Sequence, residues 1–372
     1  MIKKLGYYLF ASFFCLFRLA PVRKQKIFMV ATHDDSDEGN IGIVAKRIKE
    51  KMPDAKLIFL TKRDGIRRPF SFFLIKAYHM ATAGTIFLDN EFMPMAFTPI
   101  SAKVKVVQLW HGTGTIKKFG QDSDTGEVAE LARRANERLT HLIVNSEMTK
   151  RQYASAFNQP MENVHILGLP RTDLLLDKKR INAMKKEFWR RYPELENKRC
   201  ILYAPTFRDY EVEHPRIALD LASFVRQMEE SEVLLLRLHP HVAANCPADV
   251  LSRYEGRVYN MSDYAGVTTL LAAADCLITD YSSIIFEYCL LDKKMIFYAY
   301  DLERFQGDGR GFYEKYDEFV PGPVVQSQQA LERECHKEDS DKERLQKFRE
   351  EMFAYRDGNA VNRLLELIFN IK

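Results

Sequence analysis

Two histidines stand where a chain of this pattern can do chemistry. His111 lies in VVQLWHGTGTIKKFG (106–120), where a strand-like apolar run ends at Leu109–Trp110 and a glycine-rich loop begins. An imidazole titrating near pH ~6.5 suits proton transfer around neutrality. Gly112 and Gly114 let backbone N–H groups approach an anion. His239 lies in LLLRLHPH (234–241), where a second apolar run emits Arg237 and then His239 ahead of Pro240, with His241 further out. An imidazole beside a diphosphate can stabilise the leaving phosphate or give it a proton.

Other strand ends carry groups that bind phosphate. ILYAPTFRDY (201–210) delivers Thr206 and Arg208, a hydroxyl and a guanidinium, and arginine can grip phosphate through two parallel hydrogen bonds. CLITDYSSIIFEY (276–288) ends a strand at Asp280, and Ser282 and Ser283 then open a helix. A helix start with free N–H groups and two hydroxyls favours phosphate. Asp280 can orient a partner or cap that helix. Glu287, about one turn on, can accept hydrogen bonds from ribose hydroxyls. Together these groups describe a site for a diphosphate. The chain has no Walker loop, no DxD and no dinucleotide G-x-G-x-x-G with its acidic partner, so neither ATP nor NAD is indicated.

The elements that must position these groups alternate. KIFMVAT, KLIFLTK, GTIFLDN, KVVQLWHG and HLIVNSE read as strands, with helical or loop material between them. A charged segment after LGLPRTDLLL carries the link to a second alternation: CILYAPT, SEVLLLRLHP, GRVYNMS, ADCLITD and KKMIFYAYD. Strand–helix alternation argues for parallel, doubly wound sheets, here two Rossmann-like units with ligands beyond the carboxyl ends of the strands. Two such units are expected to place a cleft between them and bring His111 and His239 to one diphosphate. From Lys342 the chain reads as one or two amphipathic helices.

With 372 residues, 46% hydrophobic and 28% charged, the chain can bury large cores. A net charge of +4, without a zinc-finger, RNP or basic-zipper signature, gives no reason to expect nucleic acid. Cys15, Cys200, Cys246, Cys276, Cys289 and Cys335 are scattered without a CxxC and read as reduced residues in a reducing compartment. No metal-ligand spacing is visible.

Residues 5–20, LGYYLFASFFCLFRLA, are apolar and aromatic but too short for a comfortable membrane span. Lys3, Lys4, Arg18, Arg23, Lys24 and Lys26 flank them, and Lys62, Arg63, Arg67 and Arg68 form a second basic cluster. The segment reads either as an interfacial helix drawn to an anionic membrane or as a helix packed on the first unit. The basic clusters read equally as solvated faces.

The ordered motifs QLWHGT with KK-x-G, LGLPRTD, YAPTFRD, LRLHPH, TDYSSI-x-FEY-x-LL with FYAYD, and GFYEKYDEFVPGP resemble the CDP-glycerol glycerophosphotransferases, the teichoic-acid glycerophosphate primases and polymerases. The resemblance covers most of residues 100–325. It implies a GT-B-like α/β fold of two Rossmann-type domains facing a cleft. On that pattern residues 1–24 form the membrane-associating helix, 25–180 the acceptor-side domain, 181–345 the CDP-polyol-binding domain and 346–372 a closing helix. It implies transfer of glycerol phosphate from CDP-glycerol to a hydroxyl of a polyprenyl-diphosphate-linked saccharide or polyol-phosphate chain, with release of CMP, at the cytoplasmic face of the plasma membrane. CDP-ribitol enzymes share the motifs, and a GT-B nucleotide-sugar glycosyltransferase would share the fold. Shortness favours a primase over a polymerase. Carried over, His111 is the base for the acceptor hydroxyl, and His239 and Arg208 stabilise the phosphates. Thr206, Ser282 and Ser283 contact the diphosphate, with Gly112, Arg237 and Asp280 alongside, and Glu287 sits near the ribose. No cofactor is expected to be tightly bound, and any Mg²⁺ would be held by the substrate diphosphate. The chain departs from the commoner pattern in HGTGTIKK and in Glu287, where Asp is frequent.

Overall fold

The computed structural model of the chain describes residues 2–211, 213, 215–245, 252–308, 311–338 and 341–371. Met1 and Cys246, and the side chains of Lys3 and Arg67, lie outside what is described. The chain divides into two compact units. The first comprises Met1–Gly114, Lys118–Asp173 and Glu351–Lys372; the second comprises Thr115–Lys117 and Leu174–Glu350.

The first unit is built on a parallel six-stranded sheet. Its strands are β1 (Arg23–Ala31), β2 (Lys56–Thr61), β3 (Ala83–Leu88), β4 (Lys105–Gln108), β5 (His141–Val144) and β6 (Val164–Ile166), in the order β2-β1-β3-β4-β5-β6. Near-continuous apolar runs such as Ile27–Ala31 form strands here because both sheet faces are covered. Alternate residues part company. Phe28, Val30, Ile86, Leu88 and Val106 pack on one side with Phe10 and Phe14 of helix α1 (Ile2–Phe17). Ile27, Met29, Phe87, Val107 and Ile143 pack on the other with Val44 and Ile48 of helix α2 (Asn40–Lys51) and with Leu364 and Ile368 of the helix Ala360–Phe369.

Helix α1 packs on the first unit along one face and leaves the other face exposed. Phe10 and Phe14 are buried in the core, while Leu5, Leu9 and Leu16 stand 69%, 42% and 59% exposed on the opposite side. Its 16 residues rise about 24 Å, short of a bilayer core of about 30 Å. Among the described residues no helix is long and apolar enough to cross a membrane.

The second unit repeats the plan. Its strands are β7 (Arg199–Tyr203), β8 (Glu232–Leu236), β9 (Val258–Asn260), β10 (Cys276–Thr279), β11 (Lys294–Tyr298) and β12 (Val324–Val325), parallel in the order β12-β11-β10-β7-β8-β9. The ten strand-like runs of the sequence all form strands. The two it does not signal, β6 and β12, have three and two residues, too few to show a period. The charged segment after Asp177 is the helix Lys178–Arg191, whose first N–H groups bond the Asp177 carboxylate, and it lies in the second unit.

Each sheet order contains one switch point, where successive strands begin to be added on the other side of the first strand. In the first unit it lies between β1 and β3; in the second it lies between β7 and β10.

Candidate active site

In the first unit the switch point is held together by Asp89, the residue that follows β3. Its buried carboxylate accepts backbone N–H bonds from Thr32 (2.9 Å), His33 (3.1 Å) and Asp34 (2.9 Å), the three residues that follow β1. Burial nevertheless holds the Asp89 pKa above the usual carboxylate value, since no cation pairs with it among the contacts described, and the three N–H bonds only partly offset that cost.

His111 arrives from the neighbouring strand. Trp110, which precedes it, sits in the left-handed region at φ 55°, so the chain turns sharply as it leaves the β4 end. That turn is held on three sides. The Trp110 N–H donates to the Gln108 side chain (2.9 Å), its carbonyl accepts from Asn40 Nδ2 (3.0 Å), and its ring packs edge-on against Phe157 at 5.0 Å. The His111 Nδ1 lies 3.2 Å from the Asp89 carbonyl oxygen. A carbonyl only accepts, so Nδ1 carries the hydrogen and Nε2 keeps its lone pair. Burial, the adjacent His33 and the nearby Arg171 and Lys62 outweigh the Asp89 bond and lower the His111 pKa to about 3. The ring is therefore a neutral acceptor at physiological pH. Arg171, from the turn after β6, donates to the His111 carbonyl at 3.0 Å, and its own N–H bonds the Asn40 side chain.

Gly112 is glycine for a reason other than an unusual φ. A Cβ there would meet Tyr153 Oη and the Gly114 carbonyl oxygen, each at 3.3 Å. Tyr153 donates to the Gly112 carbonyl at 2.8 Å, and Asn145 Nδ2 donates to the Thr113 carbonyl at 2.5 Å. The loop is fastened from behind by its carbonyls.

In the second unit Asp280, the residue that follows β10, plays the part of Asp89. One carboxylate oxygen accepts the N–H of Thr206 (2.8 Å), beyond β7, and that of Tyr281 (2.6 Å). The other lies 2.8 Å from Arg208 Nη1. Arg208 does not offer an open fork to solvent. It is 3% exposed, donates to both carboxylate oxygens of Asp301 (2.6 and 2.9 Å), and is roofed by the rings of Tyr281, Tyr300 and Phe305 at 4.9–5.2 Å. Tyr210 and Tyr281 also bond Asp301. Burial alone would raise the Asp301 pKa, but Arg208 and the tyrosine hydroxyls hold it below the usual range. Arg208 thus fixes the loops after β7, β10 and β11 as a buried charge.

Arg237 is likewise occupied. Its Nη1 donates to the carbonyls of Met261, Ser262 and Tyr264 at 2.6–2.9 Å, closing the turn after β9. The groups left open at these strand ends are smaller. The Thr206 hydroxyl is shielded from solvent and has no hydrogen-bond partner in the protein, an arrangement that costs about 1–3 kcal/mol unless a ligand completes it. His239 is exposed, stacks on Phe207 at 4.5 Å, and its Nδ1 accepts the His241 N–H at 3.3 Å. Thr206, Arg208 and His239 line one small cavity with Leu238 and Tyr300. Ser283 is exposed ahead of the helix Ile284–Tyr288, Ser282 Oγ accepts the Ile284 N–H at 3.4 Å, and Glu287 is half-buried within that helix.

Five residues that hold these sites lay beyond the motif reading: His33, Asn40, Asp89, Arg171 and Asp301. Four had a signal in the sequence. His33 and Asp89 follow strand-like runs, and Arg171 and Asp301 sit inside LGLPRTD and FYAYD. Asn40 is identified only by its bonds across the fold. Among the described residues no group of three or more His, Cys, Asp and Glu side chains is arranged to hold a metal ion.

Comparison with known proteins agrees with this architecture. The family described as CDP-glycerol:poly(glycerophosphate) glycerophosphotransferase matches residues 12–370. The chain is 32% identical over 99% of its length to a teichoic acid poly(ribitol-phosphate) polymerase of Bacillus spizizenii, and spans 60% of that relative. It is 30% identical over 88% of its length to the teichoic acid glycerol-phosphate primase of Bacillus subtilis, spanning 83% of it. A crystal structure of the wall teichoic acid polymerase TagF, soaked with CDPG, superposes over 99% of this chain and 95% of that one with a TM-score of 0.84 at 23% identity. That likeness shows the fold: two Rossmann-type α/β units of the GT-B-like kind.

Proposed function

The chain belongs to the CDP-glycerol:poly(glycerophosphate) glycerophosphotransferase family, and from that premise we propose that it moves glycerol phosphate from CDP-glycerol to a hydroxyl of a polyprenyl-diphosphate-linked saccharide. The observation that carries this reading is the His111 imidazole, whose Nδ1 is tied to a carbonyl so that Nε2 keeps the lone pair. The acceptor oxygen forms a bond to the donor's glycerol-phosphate phosphorus while the anhydride bond to CMP breaks. The acceptor's proton passes to His111 Nε2, and the electron pair of the broken bond leaves with CMP.

A base whose pKa is about 3 in the free protein is weak, but an anionic substrate changes that. Phosphate charge a few ångströms away favours the imidazolium, so the pKa rises when the base is needed. On the donor side, Thr206, His239 and the N–H groups around Ser282 and Ser283 neutralise the diphosphate. Arg208, with Asp280 and Asp301, holds the loop that presents Thr206. Charge stabilisation by fixed donors suits phosphoryl transfer, which asks the protein mainly for positioning and neutralisation. Any Mg²⁺ would arrive with the diphosphate.

Ribitol phosphate is the second reading, favoured by the name of the Bacillus spizizenii relative. Addition of a single unit is the mode we assign, supported by the match along most of the glycerol-phosphate primase. Purified protein incubated with CDP-glycerol, CDP-ribitol or a UDP-sugar and a lipid-linked disaccharide analogue tests all three points. CMP release with one added glycerol phosphate is expected. Release of UDP from the sugar donor, with none of CMP, would sink the reading.

We assign the outward leucines of α1 and the flanking Arg18, Arg23 and Lys24 to docking on an anionic membrane at its cytoplasmic face, where such an acceptor would lie. Replacing Leu5, Leu9 and Leu16 by Ser spares the buried Phe10 and Phe14, so the unit should stay folded. The triple variant is expected to stop co-sedimenting with vesicles rich in phosphatidylglycerol; unchanged co-sedimentation refutes the assignment.

A further inference from the structure

One ring at the first switch point has no place in the transfer just described. His33 lies face to face with His111, the ring centroids 3.8 Å apart and the planes within 9°. Its backbone N–H is bound by the same Asp89 whose carbonyl receives His111 Nδ1. One residue therefore sets both the seat of His33 and the tautomer of His111. On the other side, the Trp110 indole lies 4.1 Å from the His111 ring.

We propose that His33 is a positioning residue for His111: its ring forms one wall of a slot that holds the His111 plane with Nε2 directed outward and its near face closed to water. The inference rests on the reading of His111 as the acceptor-side base.

The physical argument has two parts. An imidazole tethered by one hydrogen bond at Nδ1 can still swing about that bond, and a base that swings loses the alignment on which proton transfer depends. Flat contact over one whole face removes that motion. Two imidazoles stacked this closely also resist sharing two positive charges. The groups facing the pair are Asp89 from the end of β3, Arg171 from the turn after β6, Lys62 just beyond β2, and Asp34 beside His33. Only Asp34 and Asp89 are acidic, and Asp89 is spent on backbone N–H groups. Burial, Lys62 and Arg171 lower the His33 pKa against the pull of Asp34, so both rings are neutral between turnovers.

The test compares His33→Ala with His33→Phe, which keeps a flat ring but no nitrogen. For each, the His111 titration is followed by NMR of Cε1-labelled histidine, and kcat is measured with the CDP-polyol that the protein accepts. In H33A the His111 titration midpoint should move up toward the ordinary histidine range, and kcat should fall about tenfold. In H33F the midpoint should stay low and kcat should remain within about threefold of the native value. An unmoved His111 midpoint in H33A overturns the proposal, as does an H33F as impaired as H33A, which would mean that the nitrogens matter and the plane does not. The NMR arm needs no substrate. Lack of transfer by the native protein would therefore count against the transferase reading alone.

Discussion

The two units solve one problem with opposite electrostatics. Each places an aspartate immediately after the strand at its switch point, and each aspartate binds N–H groups from the loop across that point. Asp89 reaches residues 55–57 positions away, and Asp280 reaches Thr206, 74 positions away. The difference lies in what accompanies the carboxylate. Asp280 has Arg208, which in turn has Asp301, and the charges close among themselves. The Asp89 carboxylate is met by backbone N–H groups, with no cation paired to it among the contacts described. Arg171 and Lys62 near His111 disfavour its imidazolium, so they keep the ring uncharged in the free protein, which the proposed base requires before it takes a proton. On the proposed function, the loop after β7 would hold fixed donors around a diphosphate, which needs the opposite, a rigid internal charge that does not itself titrate. Similar scaffolds thus support a titrating site in one unit and a permanently charged one in the other.

The sharpest way to break the comparison is to remove each centre in turn. His111→Ala should lower kcat by about a hundredfold to ten-thousandfold, with the melting temperature retained, when turnover of CDP-polyol is measured. A loss under tenfold would mean that the first unit does not supply the base. Arg208→Met should act through stability. It strands Asp280 and Asp301 as buried carboxylates without their cation, at a cost of about 3–5 kcal/mol, read by urea denaturation. A cost below ~1 kcal/mol would show that the charge network is dispensable.

Acid should separate the units next. His111, His79 and His141, all in the first unit, have pKa values lowered by burial to about 3, 4 and 4. For a lowered histidine the unfolded chain takes up protons first, so stability falls as pH drops below the unfolded value of about 6.5 and levels off only below the folded one. Asp301 in the second unit has a lowered carboxylate pKa, so its contribution is lost only below pH 3.8. Asp89, Glu91 and Asp173 are raised by burial and act in the other direction, so they oppose part of the histidine effect as pH falls. Between pH 7 and 5.5, calorimetry should therefore show the first unit's transition moving down while the second unit's stays. A single transition flat across that interval would contradict the contrast.

The smallest expected effect refines the first site. Tyr153→Phe removes the bond to the Gly112 carbonyl and should cost about 0.5–1.5 kcal/mol by thermal melting. A few-fold loss of kcat beyond that would show that the loop carrying His111 needs its rear fastening. Unchanged stability would mean the hydroxyl is merely housed.

Much of this was legible in the residues. Apolar runs such as KIFMVA and CILY mark parallel strands because both their faces are covered, and that requirement is local. Ten strands and the strand-end seats of His111, Thr206, His239, Asp280 and Ser282 follow from it, and the ordered motifs at those ends carry the family resemblance. The roles of the arginines were not legible. Arg208 and Arg237 read as phosphate ligands because an arginine at a strand end usually has water in front of it. Here the nearest acceptors are Asp301, 93 residues on, and the carbonyls after β9. The same limit hid His33. Its spacing from His111 carries no period, since β3 intervenes and the two are brought face to face only by the order β1-β3-β4 in the sheet. By itself the sequence determined which residues stand at strand ends, because periodicity and burial act over a few neighbours. Which strand ends share a switch point, and so which charges are cancelled and which base stays neutral, was decided by the sheet order, because burial and Coulomb energies depend on distance in space and not along the chain.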